Sequence, residues 1–183
     1  MSFSGPCVAA VTPFRQDGSV DESAVLPYAK YLIGNGVKGF LIHGSTGEGV
    51  SLSLEEKKTL TKAWVSAIQT MKNEVKSNLI GAQPAVVGTD VSTCNSQDLN
   101  DLLLMVNVSA TCIKEVQELA RLCQQLNVDM VATLPPFYYK PSDVDQLVKY
   151  LRQIWTSAPD IPLLYYHYPE VTGVTCEFRT IEL

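Results

Sequence analysis

Apolar residues along the chain fall into two alternating patterns. Short continuous runs bounded by glycine or proline are typical of the buried strands of a parallel sheet. Between these runs the apolar residues recur at helical spacing, which is typical of amphipathic helices. The pattern predicts strands at 8–11, 40–43, 102–108, 130–134 and 163–168, and helices over about 25–33, 53–71, 111–123 and 142–155.

Capping residues precede several of the predicted helices. Asp21 or Ser23 is the expected N-cap of the first helix. Ser53 and Glu56 have the spacing of a capping box, which marks the start of the second helix. Ser142 is expected to cap the last helix.

The alternation of strand and helix predicts parallel β-α-β units with helices packed on the sheet. Two architectures share this alternation. A doubly wound open sheet would be complete at 183 residues, whereas a (β/α)₈ barrel needs about 250. The hydrophobic pattern alone therefore favours the open sheet.

One stretch, residues 76–101, fits neither architecture. It separates the second helix from the third strand, although connections in such units normally take about 2–6 residues. We expect an atypical insertion, either an exposed loop or a disordered segment, within a single domain over residues 1–183. A lid over a functional site is a less favoured alternative.

Composition and charge narrow the class of protein. The formal net charge is −5 and the pI about 5.0, and the chain has no run of lysine and arginine, which argues against nucleic acid and basic membrane-surface partners. No stretch is apolar enough to span a membrane, and the N-terminus lacks the basic region of a signal peptide. The five cysteines are odd in number and widely spaced, so we expect free thiols and a cytoplasmic location.

The most chemically suggestive stretch is the glycine-rich loop that follows the second predicted strand. Gly44, Gly47 and Gly49 alternate there with Ser45 and Thr46. Glycines let the backbone approach a ligand, while amides and hydroxyls converge on an anion such as a carboxylate. In an equally favoured interpretation, the glycines only form a turn and the hydroxyls only cap a helix.

Other candidate residues follow the remaining strands, because ligands of parallel α/β folds bind at the carboxyl ends of the strands. Tyr138 or Tyr166 could act as an acid or base, although a tyrosine in such a place more often only packs. His43 and His167 lack carboxylate partners at ligand spacing, so we expect structural roles and neither a metal nor a cofactor.

Three segments together resemble a known family. They are GFLIHGSTGEGVSLSLEE, LPPFYYKP and LLYYHYPEVTGV, and VAAVTPF lies near the start. These segments are similar, in this order, to signatures of the pyruvate-dependent class I aldolases, which include N-acetylneuraminate lyase (sialic acid aldolase) and dihydrodipicolinate synthase. The resemblance implies a (β/α)₈ barrel, here about its first five βα units, and it overrides the preference for an open sheet.

Within that family the lyase branch is the closer likeness, since PEVTGV lacks the arginine that is usual in the synthases. The resemblance implies that Ser45, Thr46 and Gly47 hold the pyruvate carboxylate. It implies that Tyr166 relays a proton as N-acetylneuraminate is cleaved to N-acetylmannosamine and pyruvate. It also places Tyr138 at the rim of the site, near a neighbouring subunit of a homotetramer.

The resemblance fails at one functional position. The family forms a Schiff base on a lysine at the end of the sixth strand, but no lysine follows Lys149 in this sequence, and Lys140 does not match the motif. Residues 176–183 also diverge from the family pattern. We therefore expect a truncated chain that is inactive alone, with two alternatives: a non-catalytic binding or assembly protein that joins full-length lyase, or an aldolase for another 2-keto acid.

Overall fold

The computed structural model describes residues 4–80 and 101–175, with side chains omitted for 75–80. Five parallel strands form one sheet: β1 Cys7–Ala9, β2 Gly39–Ile42, β3 Leu103–Asn107, β4 Met130–Thr133 and β5 Leu163–Tyr165. The helices are α1 Val25–Gly34, α2 Leu54–Ile80, α3 Ile113–Gln125, α4 Val144–Trp155 and the one-turn α5 Pro169–Thr172, with short 3-10 turns at Glu22–Ala24 and Gly49–Ser51.

The order of the strands in the sheet is β1-β2-β3-β4-β5, and each strand is parallel to its neighbours. In a doubly wound sheet the order would reverse at a switch point, whereas in a barrel each strand lies beside the next one in the chain. The open sheet that the pattern favours is therefore wrong, and the barrel-type arrangement implied by the family resemblance is confirmed.

The helices pack on one face of the sheet and bury alternate strand residues. Phe40 and Ile42 of β2, Leu104 and Val106 of β3, and Val131 of β4 are at most 2% exposed. Trp64 of α2 packs against Phe40 in a tilted arrangement, with ring centroids 4.9 Å apart. Because side chains alternate along a strand, the residues between them point to the other face.

That other face carries apolar residues that keep contact with solvent. The register aligns Ala9 of β1 with Leu41 of β2 and Met105 of β3. Ala9 is exposed, Leu41 and Met105 are half-buried, and Leu164 of β5 is 42% exposed. In a closed barrel this face would line the interior, which side chains fill.

The predicted elements are confirmed, with corrections at their ends. Asp143, rather than Ser142, caps α4, because its carboxylate accepts a hydrogen bond from Gln146 N. Asp21 caps the 3-10 turn ahead of α1, and Ser53 and Glu56 exchange the hydrogen bonds of a capping box. Within the predicted insertion, helix α2 continues to Ile80, and residues 81–100 lie outside the described residues, as do residues 176–183.

In the part of the chain that the structure describes, no helix combines the length and apolarity required to cross a membrane.

Candidate active site at the carboxyl ends of the strands

The glycine-rich loop is a tightly bonded turn at the carboxyl end of β2. Gly49 N donates to Gly44 O (3.1 Å) and Glu48 N donates to Ser45 O (3.1 Å). From the end of β1, the Thr12 hydroxyl donates to Gly47 O (2.6 Å). These bonds fix the loop against two strands and leave its outer side to solvent.

Two of the glycines are required by close contacts rather than by flexibility. A Cβ atom on Gly47 would lie 2.8 Å from Ala10 O, and one on Gly49 would overlap the carbonyl group of His43. Both obstacles are backbone atoms, which cannot move away as a flexible side chain can. The backbone of the loop therefore lies in contact with the strand ends, where a side chain on either glycine would not fit.

Ser45 and Thr46 occupy the outer side of this loop. Both residues are exposed, and neither hydroxyl is hydrogen bonded to any of the described residues. The N-cap of the following helix is Ser53, so these hydroxyls do not cap α2. They remain available to a ligand at the carboxyl edge of the sheet.

Tyr166 lies at the same edge, directly after β5, with β3 and β4 between it and the glycine loop. Its backbone N–H donates to Thr133 O (2.8 Å), which extends the pairing with β4. Its ring is half-buried and stacks on Tyr168, with the planes 9° apart and the centroids 5.9 Å apart. The phenol therefore projects from a fixed backbone and has an aromatic neighbour.

Tyr138 lies farther out than Tyr166. It is 75% exposed and forms an edge-to-face pair with Tyr139. Both rings border a cavity of about 320 Å³ between the loops that follow β3 and β4 and helix α4. Tyr150 of α4 and Ile113 of α3 also line this cavity.

A buried polar network underlies the loops. Lys57 in the first turn of α2 is 3% exposed, and its Nζ donates to Ser109 O after β3 (2.7 Å). Ser109 N donates to the Asn107 side-chain oxygen (3.0 Å), and the Ser109 hydroxyl accepts a hydrogen bond from Leu134 N after β4 (2.7 Å). The network thus joins the ends of β3 and β4 to the helix that follows the glycine loop.

His43 continues this network at the end of β2. Its Nε2 lies 3.1 Å from the Thr61 hydroxyl, which itself donates to Lys57 O (2.7 Å). Because that hydroxyl proton is already used, His43 Nε2 carries a hydrogen and Nδ1 does not. Burial, and secondarily the Lys57 ammonium, lowers the pKa of His43 to about 3, so the ring is neutral at physiological pH.

Lys140 is the lysine that the sequence places near the carboxyl ends of the strands, and it does not match the family motif. Lys140 follows β4 and is exposed, and its Nζ lies against the backbone of Gly173 beyond α5. Within residues 4–80 and 101–175, histidines, cysteines and carboxylates form no group of three that could hold a metal ion.

The architecture and these loops match one family. The model of the dihydrodipicolinate synthetase family matches residues 2–77 and 94–183. The chain belongs to this family. The unmatched residues 78–93 lie inside the predicted insertion, and the match includes residues 176–183, which we expected to diverge.

Relatives of known activity include N-acetylneuraminate lyases. The zebrafish (Danio rerio) enzyme is 32% identical over 176 residues, which are 96% of this chain and 48% of that enzyme. The solved N-acetylneuraminate lyase of Proteus mirabilis is 33% identical, with a TM-score of 0.74 over 94% of this chain and 48% of that one. A solved dihydrodipicolinate synthase, at 24% identity and TM-score 0.71, shows the shared fold. The chain spans about half the length of these relatives.

The residue of the buried network that sequence analysis missed is Lys57. The hydrophobic pattern included Leu60 and Trp64 of α2 but not Lys57, which lies three residues before Leu60 on the same helical stripe. That position on the buried face is the signal that could have identified it, because lysine is almost never fully buried without a partner. The bonds among Asn107, Ser109 and Leu134 join separate loops and have no local signal.

We predict that Gly49→Ala destabilises the fold by several kcal/mol, because the added methyl group would overlap the His43 carbonyl and displace the loop. Gly34→Ala is the matched control: its Cβ would meet nothing within 4 Å in helix α1, so its effect should stay within about 1 kcal/mol of the original stability. Urea unfolding of both variants measures the difference. Equal stability of the two variants would contradict the close packing of the loop.

A second prediction concerns acid stability. Between its ordinary pKa of 6.5 and its folded value of about 3, His43 binds a proton in the unfolded chain but not in the folded one. The free energy of unfolding should therefore fall as the pH is lowered through this window, by up to about 1.4 kcal/mol per pH unit from this residue.

His43→Asn keeps a residue that tolerates the positive φ of 58° and does not titrate, so it should reduce the dependence of the unfolding free energy on pH. Urea unfolding at pH 4, 5, 6 and 7 tests this; an identical slope in both proteins would show that His43 does not titrate in this way.

Proposed function

We propose that this chain carries the keto-acid site of an N-acetylneuraminate lyase, with Ser45, Thr46 and Gly47 binding the carboxylate and Tyr166 relaying a proton. The observation that carries the proposal is the loop itself: two free hydroxyls on a rigid glycine turn, at the carboxyl edge of a barrel-type sheet in a family of aldolases. The similarity to N-acetylneuraminate lyases supports this substrate over other 2-keto acids.

The chemistry of the loop suits a carboxylate. A carboxylate accepts hydrogen bonds only, and bonds to a charged acceptor are shorter and stronger than neutral ones. The two exposed hydroxyls and the adjacent backbone N–H groups are donors that the loop holds in place before a ligand arrives. Preorganised donors of this kind lose little conformational entropy on binding.

Tyr166 suits the proton transfer. In a retro-aldol cleavage the substrate's 4-hydroxyl gives up its proton as the C3–C4 bond breaks, and the bond's electron pair moves toward the former ketone carbon. A phenol at the edge of β5 would take that proton and pass it on. Its backbone bond to Thr133 and its contact with Tyr168 hold the phenol in one position.

Cleavage also needs an amine to convert the ketone to an iminium, which accepts the electron pair. No lysine of residues 1–183 lies at the required position, and Lys140 projects toward Gly173. We therefore propose that these 183 residues bind the keto acid but do not cleave it by themselves.

Assembly with other lyase chains in the cytoplasm is a second candidate function. The exposed Tyr138–Tyr139 pair and the half-exposed apolar face of the sheet favour it. A homotetramer, with Tyr138 near a neighbouring subunit, is the arrangement that we propose from the family resemblance. Co-purification with a full-length lyase would support this function, and a monodisperse lone monomer would count against it.

We expect pyruvate to bind at the glycine loop. In a ¹⁵N NMR titration the amide signals of Ser45, Thr46 and Gly47 should shift, and Ser45→Ala should weaken binding by about tenfold, because one charge-assisted hydrogen bond is lost. Ser51→Ala, an exposed position beyond the loop, is the control and should leave the affinity within about twofold. Shifts confined to other residues would refute the carboxylate site.

We expect no covalent adduct on the isolated chain. Treatment with pyruvate and borohydride, followed by mass spectrometry, should leave the mass unchanged, while the Proteus mirabilis lyase treated in parallel should gain the reduced adduct. If the chain does gain that mass, peptide mapping identifies the lysine, and loss of the adduct in Lys140→Met would assign it to that residue. Such an adduct would overturn the proposal that this chain lacks the amine.

A further inference from the structure

Lys57 carries a positive charge into the protein interior without a carboxylate partner among the described residues. The hydrogen bond to Ser109 O is the one that its Nζ forms with any of them, and none of their carboxylates lies within 4.0 Å. The neighbouring Lys58 shows the contrast, because its ammonium contacts both Glu55 and Glu118. Burial lowers the pKa of Lys57, and the more distant Glu115 opposes that change.

An incompletely compensated buried charge is costly. Moving an ammonium out of water costs several kcal/mol even after the protein relaxes, and a single carbonyl oxygen satisfies only one of its three N–H groups. A hydrophobic residue at this position of the helix would pack against Leu60 and the sheet without that cost. A function for the charge would account for its presence.

The location of the charge indicates what that function is. Lys57 is in the first turn of the helix that follows the glycine loop. Its Nζ contacts Ser109 O directly after β3, the strand that lies beside β2 in the sheet. His43 directly precedes Gly44 and Ser45. After burial, the Lys57 ammonium is the second cause that lowers the pKa of His43, because it disfavours a positive charge on that ring. The same field favours a negative charge on the other side of the loop.

We propose that Lys57 is the buried countercharge for the carboxylate at the glycine loop, acting through the field beneath the loop rather than by contact. This inference rests on the proposed keto-acid site and adds to it the source of its preference for anions. Ser45 and Thr46 supply hydrogen bonds that a neutral amide could also accept. Lys57 then makes the loop discriminate a keto acid from a neutral ketone, since interactions of a buried charge are weakly screened by solvent.

A pair of ligands and a pair of variants test the proposal. Pyruvate carries the carboxylate, and pyruvamide is its neutral counterpart. Lys57→Met keeps most of the side-chain volume and removes the charge, and Lys58→Met removes the same charge from the adjacent, more exposed position. Dissociation constants come from NMR titration of the Ser45, Thr46 and Gly47 amides in the 183-residue chain.

Lys57→Met should weaken pyruvate binding by about tenfold, which corresponds to about 1.4 kcal/mol, and change pyruvamide binding by less than about twofold. Lys58→Met should leave both ligands within about twofold, and Lys57→Arg, which keeps the charge, should retain the preference for pyruvate. An equal loss of both ligands in Lys57→Met would overturn the proposal and leave Lys57 as a structural tether between α2 and β3.

A second measurement uses the wild-type chain alone. It tests the proposal even if Lys57→Met does not fold. A bound carboxylate should raise the pKa of Lys57, measured from the ¹³Cε signal with and without saturating pyruvate. An unchanged pKa at saturation would overturn the countercharge while the keto-acid site stands. Absence of pyruvate binding in the wild-type chain would instead remove the keto-acid site, and the countercharge with it.

Discussion

One buried hydrogen bond, from Lys57 Nζ to Ser109 O, links helix α2 to the end of β3. The carbonyl that accepts it belongs to a residue whose amide and hydroxyl are also bonded, to Asn107 and to Leu134. On the other side, the Lys57 carbonyl takes the Thr61 hydroxyl that contacts His43. A hydrogen bond to a charged group is typically worth about 1.5–3 kcal/mol, so this bond stabilises the contact between α2 and the end of β3.

The arrangement explains how a loop with three glycines can be rigid. Glycine carries a large entropic cost on folding, so a Gly-rich turn holds its shape only when bonds from neighbouring elements fix it. Here the hydroxyl of Thr12, three residues after β1, donates to Gly47 O, and Gly49 N donates to Gly44 O. Below them, the His43–Thr61 contact fixes the end of β2. The hydroxyls of Ser45 and Thr46 are thereby presented on a fixed surface.

The sequence predicts the elements well because each has a local signal. The strands have continuous apolar runs, and the helix at Leu54–Ile80 has a capping box and an apolar stripe. The choice between an open sheet and a barrel has no local signal, since both use the same alternation of strand and helix. The order of strands in space decides it, and only the family resemblance anticipated that order.

The presence or absence of a local sequence signal also separates the candidate site residues that the sequence predicts from those that it misses. The sequence predicts Ser45, Thr46 and Tyr166 as candidates because they follow strands, and strand ends define the ligand edge of such folds. Lys57 was missed because a lysine in a helix next to Glu56 and Lys58 is usually solvated, and only the packing of α2 on β3 buries it. The N-cap at Asp143 was assigned to Ser142 because both side chains can cap a helix and only the backbone geometry selects one.

Binding and cleavage depend on different groups in this chemistry. Hydroxyls, amides and a buried cation that act on the carboxylate stabilise substrate and transition state alike, because the carboxylate keeps its charge while the C3–C4 bond breaks. Interactions of that kind improve affinity without lowering the barrier to the chemical step. The barrier falls when the electron pair of the broken bond moves to an iminium rather than to a neutral ketone, and that group requires an amine within bonding distance of the ketone carbon. A chain can therefore bind a keto acid in preference to a neutral ketone and still leave the acid uncleaved.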